Sequence, residues 1–415
     1  MAHDPNDRDA SDPPDAAGTP GAAAATGDDA PAGAATLARL PRTRQAILDG
    51  VRAGIHLGAQ LYVSRHGAVI ADAAAGESRP GRPLRRDDLM LWLSSTKPVA
   101  AVAIAQLWER GRLELDDPVV RHIPEFAAHG KGAVTLRHLL THTAGIRLLD
   151  VGWPQDSWDA IVARIAAMRP EPRWVPGRKA GYHHASSWFL LGEIVRRLDG
   201  RPFAAYAREE VFAPLDMLDS WIGMPVETYR ELREQGRSCP VYDTAGSAGG
   251  AGGAPVPQGW DSEAWCTGTH PGGNGYGPIS QLGRFYEMLL ARGRAPGGAG
   301  APDRRILSPQ AVEAMTARHR AGMLDHTFQH VLDWGLGFIL DSRQYGAATV
   351  PYGYGNYASP RTFGHSGYRS STAFADPEAG LAVALAFNGT PTDEVHEQRI
   401  RSVLDALYED VGLAS

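Results

Sequence analysis

The sequence predicts an α+β fold: one antiparallel sheet built from both ends of the chain and flanked by helices, with a helical subdomain between those ends. Three observations predict it. Two short strand-like runs near the start, Ala59–Arg65 and Ala68–Ala74, are separated only by His66-Gly67. Strand-like runs return past Trp334 and end in the near-continuously apolar LAVALAFN of Leu381–Asn388. Between these two regions helical patterns dominate, from Pro98 to about Asp199.

Each element has its own signal. Residues 1–36 are Ala, Asp, Pro and Gly without an aromatic side chain, so they cannot offset their ordering entropy and are expected to be a disordered tail. The folded body, one composite domain, is expected over 37–415. It opens with an amphipathic helix over Arg42–Ala53, with Ile47, Leu48 and Val51 on one side. His66-Gly67 between the next two runs is a tight hairpin turn. Pro98–Arg110 reads as a helix that is apolar nearly all round (Val99, Val102, Ile104, Leu107, Trp108), hence buried. The helical subdomain is placed within about 111–330. Gly and Ala crowd Thr244–Pro255 and Pro296–Pro302, which read as flexible loops. Strands are then expected at Gly335–Leu340, Arg361–Gly364, Ser371–Ala375 and Leu381–Asn388, the last central in the sheet, and a final helix at Glu394–Tyr408.

Composition removes several function classes. The formal net charge is −6, and all of it falls in residues 1–36, which hold seven Asp against Arg8. The neutral body lacks the basic face of a nucleic-acid binder. No run of 18 apolar residues offers a membrane span. Cys239 and Cys266 are the only cysteines, which gives neither a disulfide framework nor zinc spacing. With no apolar export signal at the start, a cytoplasmic location is expected. Of 41 basic residues only Lys97, Lys131 and Lys179 are lysines. The other 38 are arginines, which points to a GC-rich coding bias. A retained lysine points to an amine that must be able to lose its proton.

One of those lysines stands in Ser94-Ser95-Thr96-Lys97, at the start of the buried helix. Ser94 and Lys97 at i and i+3 share a helix face, so a desolvated amine can reach the hydroxyl and act as its base. The helix N-terminus adds backbone N–H groups for a developing oxyanion. Pro98 fits the first turn, where a missing N–H costs little. The plain alternative is an N-capping serine followed by a surface lysine. It leaves unexplained why a buried helix begins with the rarest basic residue.

Here the sequence resembles the serine β-lactamase and penicillin-binding protein superfamily, of which Ser-x-x-Lys is a signature. It is closest to the branch holding class C β-lactamases, D-aminopeptidases and family VIII carboxylesterases. LELDDPVVRHIPEF at 113–126 and LRHLLTHTAGI at 136–146 are similar to long segments of that branch, with Ala144 where the branch has Ser. The resemblance covers roughly Leu37 to Leu413 and implies the β-lactamase/transpeptidase-like fold. It also implies roles for two further motifs. In GYHHASSWFLLG at 181–192, Tyr182 falls on the tyrosine that assists the nucleophile. The asparagine place beside it is taken by His184 or, because the stretch to Leu190-Leu191-Gly192 is one residue longer than in the branch, by His183. In GHSG at 364–367, His365 and Ser366 replace the Lys and Thr of the β-lactamase Lys-Thr-Gly strand, and Gly367 is kept. The backbone N–H of Tyr368 is then the second oxyanion donor, beside that of Ser94.

Other clusters carry less. His326 and His330 sit at i and i+4 without a third ligand or an HExxH frame, so no metal is expected. PGGNGYG at 271–277 lacks the strand–loop–helix frame of a phosphate cradle. The reading is a cofactor-free serine hydrolase acting on small-molecule acyl esters, with Ser94, Lys97, Tyr182 and His365 as its catalytic set. Its rivals are a β-lactamase or D-aminopeptidase-type amide hydrolase, an acyltransferase or peptide cyclase with the same residues, and a non-catalytic binding scaffold. The last would be expected to lose Ser, Lys or Tyr, and all three are present. Oligomeric state is left open.

Overall fold

The LAVALAF segment shows how this sequence makes its sheet. Along Leu381–Phe387, Leu381, Val383, Leu385 and Phe387 pack into one apolar cluster, while Ala382, Ala384 and Ala386 pack into another on the opposite face. The period of two therefore survives inside an apparently unbroken apolar run, as large against small side chains. In this computed structural model the described residues are 37–147, 150–246, 253–297, 304–350 and 353–414. The tail expected at 1–36, and most of the two Gly/Ala loops, lie outside them.

The main sheet comprises β1 (Gly58–Arg65), β2 (Ala68–Arg79), β3 (Arg82–Pro83), β4 (Ile339–Leu340), β5 (Phe363–Gly367), β6 (Ser371–Asp376) and β7 (Leu381–Phe387). Its order is β4-β5-β6-β7-β1-β2-β3, antiparallel throughout. The two chain ends meet where β7 pairs with β1, Leu61 opposite Leu385. The β1–β2 turn takes His66 and Gly67 at φ 49° and 77°. That is the left-handed pair a two-residue hairpin turn needs. The expected antiparallel sheet from both chain ends is thus observed, with its central strand.

Terminal helices Pro41–Arg52 and Asp393–Asp410 pack together, and Ile47, Ile400, Val403 and Leu404 share the large-residue cluster of β7. Thr43 ties them, its N–H and hydroxyl both donating to Asp410 at 2.8 Å. Helix Ile279–Leu290, inside the 111–330 stretch, packs on the alanine face of the sheet. Its Tyr62 contact ends in a 2.8 Å hydrogen bond from the Tyr62 hydroxyl to Glu287. Helix Lys97–Glu109 is buried from Lys97 to Leu107 and packs against helix Ser186–Asp199.

One expected strand needs correction, and the i, i+4 spacing of His326 and His330 is not a helical one. Gly335–Leu340 is strand only at Ile339–Leu340: Gly337 at φ 82° and a Gly335 N–H bond to Phe338 O curl the start into a turn. His326 and His330 do not share a helix face. Leu324–Asp325 pairs with His330–Val331 as a short antiparallel ladder, with His330 opposite Asp325.

Candidate active site

The nucleophile turn begins with a strained residue. Strand Met90–Leu93 ends at Leu93 with φ 50° and ψ −132°, a conformation that side-chain-bearing residues avoid. A 3-10 turn over Ser94–Thr96 follows and runs directly into helix Lys97–Glu109. Neighbours hold this turn in place. Ser95 Oγ donates to His365 O at 3.1 Å and lies 3.0 Å from Ser371 Oγ, which donates to Trp92 O at 2.7 Å. Thr96 Oγ1 donates to Leu93 O at 2.6 Å. Gly367 must be glycine here, because a Cβ would stand 2.5 Å from Trp92 O and 2.9 Å from Leu93 Cβ. Strand β5 can therefore lie against the nucleophile turn only where it has no side chain.

Lys97 is fully buried, and its Nζ donates to Ser94 Oγ at 2.9 Å and to Gly272 O at 2.8 Å. Desolvation holds its pKa well below the ordinary lysine value. Once deprotonated, the amine keeps one N–H on Gly272 O and turns its lone pair to the Ser94 hydroxyl. The Nζ also sits 5.0 Å from the centroid of the Tyr182 ring. Ser94, Lys97 and Tyr182 are therefore brought together from two distant segments.

Tyr182 is buried, with its ring 4.7 Å from His142, 5.0 Å from Phe328 and 6.1 Å from His365. Its backbone is anchored from beneath. Asp325 Oδ1 accepts from the N–H groups of Tyr182 at 3.1 Å, Thr327 at 2.8 Å and Phe328 at 3.2 Å. Asp325 Oδ2 accepts from the buried Arg320 guanidinium at 2.8 Å. Arg320 also donates to Thr141 O and stacks 5.2 Å from the Trp334 ring.

The two candidate asparagine replacements behave differently. His183 is buried, with Nε2 accepting from Ile146 N–H at 3.2 Å and Nδ1 3.0 Å from Ser187 Oγ. Its N–H donates to His142 Nδ1 at 2.9 Å. Burial pushes its pKa down to about 3, so it is a neutral brace for the loop. His184 is exposed and packs edge-on to Tyr182 at 5.0 Å.

On β5, His365 is buried, with Nδ1 2.9 Å from Ser366 O. Burial first, then the proximity of Lys97, pushes its pKa down to about 3. It is a neutral ring. Ser366 Oγ donates to Thr372 Oγ1 at 3.2 Å on β6. Tyr368, just past Gly367, exposes its side chain and lies under the Arg369 guanidinium at 4.8 Å. Neither arginine near this strand brings a charge to Lys97. Arg369 binds Asp393 through Nε at 2.5 Å and Nη2 at 2.6 Å, and the exposed Arg361 lines a groove with Glu313 and Pro377.

Sequence reasoning missed Gly272, whose carbonyl holds Lys97. In sequence the Gly-rich run reads only as a loop without the frame of a phosphate cradle, and no motif marks its carbonyl. Sequence reasoning also missed the Arg320–Asp325 pair, which no motif marks. Among the described residues, no cluster of three or more His, Cys, Asp or Glu is placed to hold a metal, and no helix is long and apolar enough to cross a membrane.

A serine hydroxyl held by a buried, desolvated amine at a helix start is an arrangement suited to acyl transfer. A family model described as Beta-lactamase matches residues 43–408, and the chain belongs to that family. Esterase EstB of Burkholderia gladioli is 30% identical over 363 residues, covering 80% of this chain and 86% of EstB. A crystal structure of a penicillin-binding protein homologue from Caulobacter crescentus superposes with a TM-score of 0.71 at 29% identity, covering 90% of this chain and 97% of that one. A family VIII carboxylesterase structure does so with a TM-score of 0.71 at 27% identity and the same coverage.

Proposed function

We propose that the protein is a serine hydrolase that cleaves carboxylic esters of small molecules through an acyl-serine intermediate. The observation that carries this reading is the 2.9 Å contact between Ser94 Oγ and a buried Lys97 amine whose pKa is held down. Kinship with esterases at 27–30% identity supports it.

In this reading Lys97, as a neutral amine, takes the Ser94 proton as Oγ attacks the acyl carbonyl. The N–H groups of Ser94 and Tyr368 receive the oxyanion. As the tetrahedral intermediate collapses, the Tyr182 hydroxyl passes a proton to the leaving alkoxide and recovers one from the protonated Lys97. Water then attacks the acyl-serine, and the same groups return the proton to Ser94. His184 and Ser366 sit beside the substrate, and Gly367 keeps the strand close. A cytoplasmic setting fits Cys239 and Cys266, which are both buried and free.

The choice of ester over β-lactam rests on His365. A β-lactam carries a carboxylate beside its reacting ring, and this strand offers a neutral imidazole instead of a lysine. The lost charge-assisted hydrogen bond is about 1.5–3 kcal/mol, or roughly 10- to 100-fold in rate. Hydrolysis of p-nitrophenyl esters of graded chain length should therefore exceed that of nitrocefin by about two orders of magnitude in kcat/KM, with mass spectrometry finding the acyl group on Ser94. Comparable efficiencies on nitrocefin and p-nitrophenyl butyrate would overturn the ester preference. An acyl group found elsewhere would overturn the nucleophile.

A further inference from the structure

The final helix carries a buried arginine that no catalytic motif includes. Arg399 is 5% exposed, and among the described residues no carboxylate lies within ion-pair distance of it. Burial pushes its pKa down to about 9, so it stays charged at neutral pH. An arginine kept charged inside a protein without an anion is costly, and it needs its N–H groups filled by well-placed acceptors.

The two terminal nitrogens find specific acceptors, while Nε has no hydrogen-bond partner among the described residues. Nη2 donates to Arg369 O at 3.0 Å, to Gly389 O at 3.2 Å and to His396 Nδ1 at 2.8 Å. Nη1 donates to Ile55 O at 3.4 Å and to His56 Nδ1 at 3.3 Å. The His56 tautomer suits this role, because its Nε2 faces Ile47 O at 3.1 Å and leaves Nδ1 as acceptor. The guanidinium also lies 4.0 Å from the Phe387 ring centroid.

Arg369 is the informative partner. It follows Tyr368 directly, in the turn where the Ser370 N–H bonds to Gly367 O at 3.3 Å, and it sits at φ 44°. The same helix holds this residue twice: Arg399 takes its carbonyl, and Asp393 takes its side chain. Any slip of that turn rotates the peptide bearing the Tyr368 N–H.

We propose that Arg399 is a positioning residue for the oxyanion site: with Asp393 it clamps the Gly367–Ser370 turn and so aims the Tyr368 N–H at the reacting carbonyl oxygen. The inference rests on the acyl-serine reading above. A displaced donor weakens binding of the transition state more than binding of the ester, so the effect belongs in kcat.

The test uses the full chain and variants R399K and D393A, with active sites counted by fluorophosphonate labelling. Arg399→Lys keeps the charge but cannot span Arg369 O, Gly389 O and Ile55 O at once. We expect its kcat per labelled site to fall about 10- to 100-fold with KM changed by less than about threefold. The affinity of an alkyl boronic acid, which mimics the tetrahedral state, should weaken by a similar factor. Unchanged kcat per labelled site, or equal weakening of ester and boronate, overturns the proposal. If R399K fails to fold, D393A, altered on an exposed side chain, decides by the same two measurements. A loss of about threefold or more in kcat with parallel boronate weakening supports the clamp, and native values overturn it. If fluorophosphonate fails to label the unaltered protein at Ser94, the acyl-serine reading fails instead.

Discussion

Removing the Asp325 carboxylate tests how much of the site depends on an ion pair beneath it. Arg320 is 2% exposed and Asp325 fully buried, with 2.8 Å between Nη2 and Oδ2. In Asp325→Ala the guanidinium loses its counter-charge, and three backbone N–H groups, Tyr182 among them, lose their acceptor. Stranding one partner of a buried pair costs about 3–5 kcal/mol, a large part of a folded stability of roughly 5–15 kcal/mol. At about 2.1 cal/mol/K per residue, a chain of this length has an unfolding entropy near 0.9 kcal/mol/K, so Tm should drop by roughly 3–6 °C. Urea unfolding followed by tryptophan fluorescence gives the energy, and kcat per labelled site gives the chemistry. Because Tyr182 hangs from this carboxylate, kcat should fall about tenfold or more in the fraction that remains folded. Asp325→Asn keeps an oxygen for the three amides and loses the charge, so it should lose stability while retaining more of kcat than the alanine variant. A destabilisation below about 1 kcal/mol for Asp325→Ala, or equal kcat for the two variants, would refute the reasoning.

The remaining predictions concern the proposed catalytic pair, Ser94 and Lys97, and its neighbour Ser95. Ser94→Ala should lower kcat by at least about 10³-fold without loss of the fold, whereas Ser95→Ala should keep fluorophosphonate labelling at Ser94 and lose about 1–3 kcal/mol of stability through its bonds to His365 O and Ser371. Labelling that moves to Ser95 or Ser187 would reject the assignment. Lys97→Arg should be nearly as inactive as Lys97→Ala, because arginine cannot shed its proton at working pH. In the unaltered protein, kcat/KM should rise with pH as Lys97 deprotonates, on a limb well below the usual lysine value. The sign for stability follows from the same shift: the unfolded chain binds the proton that the folded chain has lost. Stability therefore rises with pH between the lowered folded pKa and the ordinary lysine value of 10.5. Lys97→Met should raise Tm at neutral pH, by less as the pH approaches that upper value. A flat rate profile across this window would place the base elsewhere, with Tyr182 the first candidate.

Local signals gave a good account of elements whose cause is local. The hairpin was legible because His66-Gly67 supplies two left-handed residues between alternating runs. The Lys97–Glu109 helix was legible because its apolar residues run all round. The strand expected from Gly335 was misjudged because apolar content alone cannot show that Gly337 turns the chain. At the site, Ser94 and Lys97 were legible together, since three residues of helix fix their contact. His184 and His183 were not separable by sequence. Which ring is buried depends on Ile146, Ser187 and His142, up to 41 residues away along the chain.

By itself, the sequence determined the class of chemistry, through a serine and a rare lysine at helix spacing. It also determined the sheet, through strand-like runs at both ends of the chain and the His66-Gly67 turn between the first two. Only the tertiary structure decided what state those residues are in. Desolvation of Lys97 requires Tyr182 and Trp188 from one segment and the Gly272 carbonyl from another to close around it. The neutrality of His365, the Arg320–Asp325 anchor under Tyr182 and the Arg399 clamp on Arg369 have the same origin. Each is a matter of burial and of partners far apart in the chain, and a pKa or a hydrogen bond depends on what surrounds a group in space.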